Sequence, residues 1–431
     1  MKVAVVGGGV AAVGAVHVLQ TMGLRDITVH STHALGESLA FARGPGRCNT
    51  SSESNRPLTE LFEPQSSGTS DDFPARHTIG AMVRRAVRRW PDRHPRVAAH
   101  VTSISRTHDE RLTVRGVTPT RTMSTWGGYD AVVTARGLSE PRVPAELYDI
   151  ATFVPTDLTP YPMNCIPPRG VIGVVGAGLS ALEAADYLVT GGARVVLLSR
   201  TSVLPAVRRS LPLGADLSED MMEMVSSILC GGGPNAARDL QRRLRRRGRA
   251  FPEDDECTGL PGLARSVQLS EGDQPWERTV VPLCRATNAS TAHEVGRLIM
   301  AAPHIARHVQ ALHIDLASRL ADHYRSGLLS MAPLADLGTD GDDVRVSAGS
   351  SSVRLDRIVL ACGWKRPRDL VDDADVSVIA LGAEPASGLA VPNALFALGD
   401  QLRALPGRLE AARQSDRSRV SGEGVGSRLV V

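Results

Sequence analysis

Two short glycine-rich turns carry the residues best suited to chemistry in this sequence. The first spans residues 5–12 and follows the apolar run 3–6, and the second spans 174–181 and follows the apolar pair 171–172. Both fit the pattern G-x-G-x-x-A between a strand and a helix. Such a turn exposes backbone N–H groups and a helix N-terminus to a pyrophosphate, and a side chain at either of the first two glycines would obstruct it. The defining residues are Gly7, Gly9 and Ala12 in the first turn and Gly176, Gly178 and Ala181 in the second. Two such turns predict an enzyme that holds two dinucleotides.

The elements that must position these turns alternate between strand and helix. In the first unit the pattern predicts a strand over 2–6, a helix from about 10 to 22 and a strand over 27–30. In the second unit it predicts a helix over 179–190 and a strand over 194–198. Alternating β and α elements form doubly wound parallel sheets. We therefore expect an α/β fold with two Rossmann-like doubly wound dinucleotide-binding domains and a helical elaboration in the second.

A proline-dense stretch over 138–168 separates the two units and has the composition of a linker. We expect the first domain to combine 1–165 with 366–431. The second domain is then 166–365, with a helical insertion over about 205–330.

Composition excludes several classes of protein. The 431 residues include no run of 18 apolar residues, and the first strand begins at residue 2, so we expect neither a membrane span nor a secretion signal, and a cytoplasmic location. The net charge of +3 gives no reason to expect a nucleic acid partner. The six cysteines include no C-x-x-C pair, which argues against a structural zinc site and against a dithiol formed by neighbours.

The order of motifs resembles that of the flavoproteins with two dinucleotide-binding domains. Each glycine turn is followed by a D-x-x-x-x-A-x-G segment, at 130–137 and 356–363, and the chain then reaches FALGD at 396–400. The group includes thioredoxin- and glutathione-reductase-like enzymes, flavin-containing monooxygenases and amine N-hydroxylases, and 356–364 resembles the D-x-x-x-L-A-T-G-Y signature of the N-hydroxylases. The resemblance implies FAD in the first domain and NADPH in the second. It does not cover 205–330.

The resemblance also implies roles for single residues. Gly137 and Gly363 close the two D-x-x-x-x-A-x-G segments. Asp400 stands where such flavoproteins place an aspartate against the ribityl chain and flavin phosphate, after a strand, although a loop aspartate that caps the next helix is an alternative. Arg47 and Asn49 lie in a glycine-rich segment that resembles one near the flavin, and an ordinary loop is the alternative.

Two strand ends depart from the usual dinucleotide pattern. Ser31 occupies the position of the acidic residue that binds the adenosine ribose, and its neutral hydroxyl should weaken adenosine binding by about 1–2 kcal/mol. The second unit has Ser199 and Arg200 there, and an arginine without an acidic residue favours the 2′-phosphate of NADPH. Arg208 or Arg209 would assist. A solvent-facing arginine at a strand end is the alternative.

Three functions remain open from the sequence. The leading hypothesis is an FAD- and NADPH-dependent monooxygenase acting on a small amine or another nucleophilic metabolite in specialised metabolism. The second is an NADPH-dependent flavin reductase or dehydrogenase that makes no oxygenated product. The third is a non-redox cyclase, isomerase or binding protein that keeps the fold. The sequence names no catalytic side chain, and it leaves the small-molecule substrate and a homo-oligomeric state open.

Overall fold

A computed structural model gives the fold of most of the chain. The described residues are 1–37, 41, 48, 55–63, 74–90, 94–137, 142–150, 156–157, 169–209, 235–248, 258–269, 276–277, 307–308, 311–341, 343–348, 351–363, 365, 367–371, 375–382, 384 and 395–420. The strands are β1 (Val3–Val6), β2 (Ile27–His30), β3 (Arg96–Val97), β4 (His100–Arg106), β5 (Leu112–Val117), β6 (Met123–Tyr129), β7 (Ala131–Thr134), β8 (Thr156–Asp157), β9 (Val171–Val175), β10 (Arg194–Ser199), β11 (Val207–Arg208), β12 (Leu312–His313), β13 (Leu329–Pro333), β14 (Leu337–Asp340), β15 (Asp343–Ala348), β16 (Ser351–Leu355), β17 (Arg357–Leu360) and β18 (Val378–Ala380). The helices are α1 (Val10–Thr21), α2 (Arg56–Phe62), α3 (Arg76–Arg89), α4 (Leu179–Thr190), α5 (Ala236–Arg246), α6 (Gly259–Leu269), α7 (Ile314–Arg325) and α8 (Leu395–Val420).

The first sheet is parallel, with the strand order β18-β7-β1-β2-β3. Its central strands β1 and β7 are buried along their whole length and are apolar except for Thr134, as expected of a parallel sheet that is covered on both faces. Helices α1, α2, α3 and α8 pack on one face. The antiparallel sheet β4-β5-β6 packs on the other.

The second sheet repeats this plan, with the strand order β13-β10-β9-β17-β8 and all strands parallel. Helices α4, α6 and α7 cover one face, and the antiparallel sheet β14-β15-β16 covers the other. The expected α/β fold with two Rossmann-like parallel sheets is therefore confirmed, and in each sheet an antiparallel sheet replaces the helices on the second face. Because the carboxyl ends of parallel strands share one edge, each glycine turn lies at the carboxyl edge of its own sheet.

Two parts of the second unit come from ranges that the sequence assigned to the first domain or to the helical insertion. β8 lies within 1–165, yet it pairs with β17, with Ile358 opposite Thr156. Helix α7 and the start of β13 lie within the expected insertion 205–330, yet Leu320 and Leu329 belong to the buried core of the second sheet. The second sheet thus draws residues from both sides of its glycine turn.

Candidate functional site

The first glycine turn requires glycine where it crosses the end of β7. Gly7 has φ +131°, and a Cβ atom there would lie 2.2 Å from the Ala135 carbonyl oxygen. Gly9 is the N-cap of α1, and no described side chain caps that helix. The first N–H groups of a helix have no partner within the helix. Ala12 is fully buried, so its small side chain lets α1 pack closely on the sheet. The turn therefore has the geometry of a pyrophosphate cradle.

Ser31 lies at the carboxyl end of β2, beside this turn, and is buried. Its hydroxyl donates to the His33 carbonyl oxygen at 2.8 Å and accepts from the His33 N–H at 3.2 Å. A Cβ atom at Gly8 would lie 2.4 Å from Ser31 Oγ, so the hydroxyl closely approaches the turn. Since its hydrogen is already donated, Ser31 can offer a ribose only an acceptor.

The second glycine turn has the same geometry as the first. Gly176 has φ +133°, and a Cβ atom there would lie 2.5 Å from the Ala361 carbonyl oxygen and 3.3 Å from Ala181 Cβ. Gly178 is the N-cap of α4, which no described side chain caps, and no described heavy atom lies within 4 Å of its Cβ position. A side chain at Gly178 would therefore fill open space at the helix N-terminus. This space fits a pyrophosphate.

Arg200 follows β10 at the edge of this second turn. Its side chain is 63% exposed, and Nε and Nη2 donate to Oε1 and Oε2 of Glu146, both at 2.9 Å. These hydrogen bonds lower the pKa of Glu146 and raise that of Arg200. The Ser199 hydroxyl accepts from the Thr201 N–H at 3.3 Å. The sequence predicted Arg200 at the strand end but gave no sign of Glu146.

Of the two neighbouring arginines, Arg208 does not extend the exposed site at Arg200. Arg208 is buried, and its Nε donates to the Ala311 carbonyl oxygen at 3.1 Å. The backbone N–H of Arg209 donates to Glu277 Oε1 at 3.1 Å. The expectation that Arg208 assists Arg200 is wrong, because its guanidinium group binds inside the protein.

Gly137 and Gly363 occupy equivalent places after β7 and β17. Both have positive φ, +79° and +92°, and no described heavy atom lies within 4 Å of either Cβ position. Glycine is therefore favoured at both positions by the backbone conformation and not by a lack of space for a side chain. The Gly363 carbonyl oxygen accepts from the Arg142 N–H at 2.9 Å.

Asp400 lies in a helix, so the expectation that it directly follows a strand is wrong. It is half-buried in the second turn of α8. The strand beside β7 is β18, after which Gly382 has φ +63°, and a Cβ atom at Gly382 would lie 3.6 Å from Ala11 Cβ at the first turn. Gln401 accepts from the Gly382 N–H at 2.9 Å and so joins α8 to this point. The other two candidates beside the flavin, Arg47 and Asn49, lie outside the described residues.

Comparison with known proteins gives matches among solved structures. No protein-family model matches the chain, and neither does any curated protein. The ornithine hydroxylase PvdA from Pseudomonas aeruginosa is 13% identical, with a TM-score of 0.59 over 95% of this chain and 99% of its own. DfoA, the cadaverine monooxygenase of the desferrioxamine pathway from Erwinia amylovora, solved bound to FAD, is 14% identical, with a TM-score of 0.57 over 95% of this chain and 94% of its own. OTEMO, solved with FAD and NADP, is 14% identical, with a TM-score of 0.56 over 98% of this chain and 86% of its own. The chain has the fold of the flavoproteins with two dinucleotide-binding domains.

An ion pair that the sequence did not indicate borders the first turn of this flavoprotein fold. Glu384, which is almost fully buried, accepts from Arg136 through the backbone N–H at 2.8 Å, Nε at 2.9 Å and Nη2 at 2.6 Å. The Arg136 nitrogen would lie 3.2 Å from a Cβ atom at Gly7. The pair therefore ties the segment after β18 to the end of β7, on the β7 side of the turn.

His30, the residue before Ser31, is a second site residue that the sequence did not single out. It is buried, its Nε2 lies 2.9 Å from Tyr129 Oη, and its ring centre lies 5.1 Å from that of Trp126. Its Nδ1 has no described hydrogen-bond partner. Burial lowers the pKa of His30 to about 4, so the ring is neutral near pH 7. His30 thus supports the end of β2 as an uncharged core residue.

A largely buried ion pair joins the two halves of the flavoprotein fold. Nη2 of Arg76, on α3, lies 3.1 Å from Oε1 of Glu183, on α4. Cys48 is buried beside them, and desolvation raises the pKa of its thiol to about 12. Cys48 therefore stays a protonated thiol, which is a poor nucleophile. The pair holds α4, the helix that begins at the second turn, against the first unit.

The described part of the chain offers neither a metal site nor a membrane-spanning helix. It contains no group of three or more His, Cys, Asp or Glu side chains that could hold a metal ion. Within the same residues, no helix is both long and apolar enough to cross a membrane.

Proposed function

We propose that this chain is an FAD- and NADPH-dependent oxidoreductase, and specifically a monooxygenase that acts on a small amine or another nucleophilic small molecule in specialised metabolism. The observation that carries the proposal is the pair of glycine turns, each before a helix whose N-terminus has no described side-chain cap. The fold supports it, since two similar structures are named for the hydroxylation of ornithine and the monooxygenation of cadaverine.

The first turn fits FAD. Gly7 and Gly9 would let the pyrophosphate reach the N-terminus of α1, and Ser31 would accept one hydrogen bond from the ribose. When bound, FAD would accept a hydride from NADPH and would activate oxygen. Asp400, Gly137, Arg47 and Asn49 remain proposed contacts on the flavin side.

The second turn fits NADPH. Gly176 and Gly178 would admit the pyrophosphate to the N-terminus of α4, and Ala181 packs that helix against its sheet. Arg200, with Ser199 before it, would meet the 2′-phosphate at the end of β10. Gly363 would border the nicotinamide side of the cleft, after β17.

The two turns would open into one cleft, as hydride transfer between two bound cofactors requires. The ion pair between Arg76 and Glu183 supports this arrangement, because it holds the helix of the second turn against the first unit. A shared cleft would also exclude water from the reacting atoms. A cytoplasmic location would suit the free thiols of Cys48 and Cys362.

One observation favours a second candidate function. Ser31 stands at the end of β2, where such sites usually have a charged ribose acceptor that retains FAD, and its neutral hydroxyl already donates to the His33 carbonyl oxygen. A non-redox cyclase, isomerase or binding protein that keeps this fold would need no such acceptor.

The visible spectrum of the purified protein, followed by product analysis, tests the proposal. We expect absorption bands at about 370 and 450 nm, and NADPH oxidation that yields a product about 16 Da heavier than the amine substrate. NADPH oxidation without a mass gain would favour the flavin reductase or dehydrogenase. A protein that stays colourless after incubation with FAD would overturn both redox functions and favour the second candidate.

A further inference from the structure

The ion pair between Arg200 and Glu146 lies where we propose that the 2′-phosphate of NADPH binds. Both oxygens of Glu146 accept from Arg200, which uses Nε and Nη2, the fork that would otherwise bind a phosphate. Arg200 has no other hydrogen-bond partner among the described residues. A phosphate that approaches Arg200 would therefore have to compete with the Glu146 carboxylate for the guanidinium group.

Glu146 is held at this place from both sides. It lies in a 3₁₀ turn over Ala145–Leu147, in which Leu147 is 1% exposed and packs in the core under the second sheet. On the other side, Arg142 donates its N–H to the Gly363 carbonyl oxygen at 2.9 Å. The Arg142 carbonyl oxygen accepts from Cys362 Sγ at 2.8 Å. The carboxylate of Glu146 is thus positioned by packing and by backbone hydrogen bonds, as well as by Arg200.

A carboxylate at this place has a known use in dinucleotide sites. In NAD-binding folds an acidic residue at the end of the second strand accepts hydrogen bonds from the ribose hydroxyls, whereas an arginine accommodates the 2′-phosphate of NADP. The end of β10 provides Ser199 and Arg200 but no acid. Glu146 brings the missing carboxylate from the connecting segment to the same guanidinium group.

We propose that Glu146 is a specificity-determining residue that sets the preference of the second site between NADPH and NADH. This inference rests on the proposed function. With the pair intact, Glu146 accepts the ribose 2′-hydroxyl of NADH. NADPH must displace Glu146 from Arg200, which the exposure of the pair permits, because exposed ion pairs are weak.

Calorimetric titration of the full chain with two fragments tests this inference. The probes are 2′,5′-ADP, which carries the 2′-phosphate, and 5′-ADP, which carries the 2′-hydroxyl. We expect Glu146→Gln to tighten 2′,5′-ADP binding about fivefold and to leave 5′-ADP binding unchanged or weaker. The matched control is Glu63→Gln, since Glu63 also accepts from Nε and Nη2 of one arginine, Arg85, at 3.0 and 2.8 Å in the first unit.

The outcomes separate this inference from the function beneath it. An affinity ratio in Glu146→Gln within about twofold of that in the unmodified chain would overturn the inference alone. An equal change of this affinity ratio in Glu63→Gln would also overturn the inference. If neither fragment binds any of the three proteins, the nucleotide site itself is refuted, and the proposed function falls together with the inference.

Discussion

Gly178→Ala separates nucleotide binding from folding. Gly178 has φ −83° and ψ −178°, an extended conformation that any residue adopts. No described heavy atom lies within 4 Å of its Cβ position, so an added methyl group meets no neighbour. We expect the free energy of unfolding to change by no more than about 0.5 kcal/mol. The same methyl group lies where a pyrophosphate would approach α4, so NADP⁺ binding should weaken at least about tenfold.

Gly176→Ala is the matched comparison in the same turn. Its φ of +133° is unfavourable for alanine, and the new Cβ atom would lie 2.5 Å from the Ala361 carbonyl oxygen. Strain and overpacking each cost about 1–3 kcal/mol, so we expect a loss of about 3 kcal/mol of unfolding free energy.

Urea denaturation and calorimetric titration with NADP⁺ measure the two effects separately. The reasoning predicts that Gly178→Ala loses binding and keeps stability, whereas Gly176→Ala loses stability. Unchanged NADP⁺ affinity in Gly178→Ala would refute a pyrophosphate site at this turn. Destabilisation of Gly178→Ala to the level of Gly176→Ala would refute the open geometry on which the prediction depends.

Three further substitutions test other parts of the site. Arg200→Ala should raise the KM for NADPH much more than the KM for NADH, and equal effects in steady-state kinetics would remove the assignment of the 2′-phosphate to Arg200. Ser31→Glu should tighten flavin retention, measured as the FAD released on gel filtration, because a carboxylate can accept both ribose hydroxyls; unchanged retention would mean that FAD does not use this strand end. The folded pKa of His30, about 4, lies below its ordinary value of 6.5, so the unfolded chain takes up the proton first as the pH falls. Stability should therefore drop by about 3 kcal/mol between about pH 6.5 and pH 4, and urea denaturation should find this loss largely absent in His30→Phe.

Local patterns were sufficient to predict the two turns and the elements around them. Helix α4 spans Leu179–Thr190, as the sequence predicts, because its boundaries depend on adjacent glycines. Strand β2 also follows its predicted range, because its β-branched residues Ile27, Thr28 and Val29 favour a strand.

The segment before Asp400 was misassigned because a short apolar run fits both a strand and a helix. The longer pattern is helical, with leucines recurring at helical spacing and all buried. They are Leu395, Leu398, Leu402, Leu405 and Leu409. The edge of the first sheet is instead taken by β18, whose three residues give little sequence signal.

The carboxylates of the site could not be predicted from the sequence. Glu146 meets Arg200 across 54 residues, and Glu384 meets Arg136 across 248. Both pairs depend on tertiary packing that brings a connecting segment to a strand end. No local pattern distinguishes these glutamates from solvated surface residues.

The short parallel pair β11 and β12 has an evolutionary consequence. Val207 lies opposite Leu312 in a two-stranded sheet of its own, so the chain leaves the second unit and returns to it at adjoining backbone positions. A segment that leaves and returns at one point can be lengthened, shortened or replaced while the register of β10 and β13 stays unchanged. The residues between β11 and β12 can thus vary in length around α6, whose Leu260 and Leu263 must stay in the core of the second sheet, without rebuilding either glycine turn.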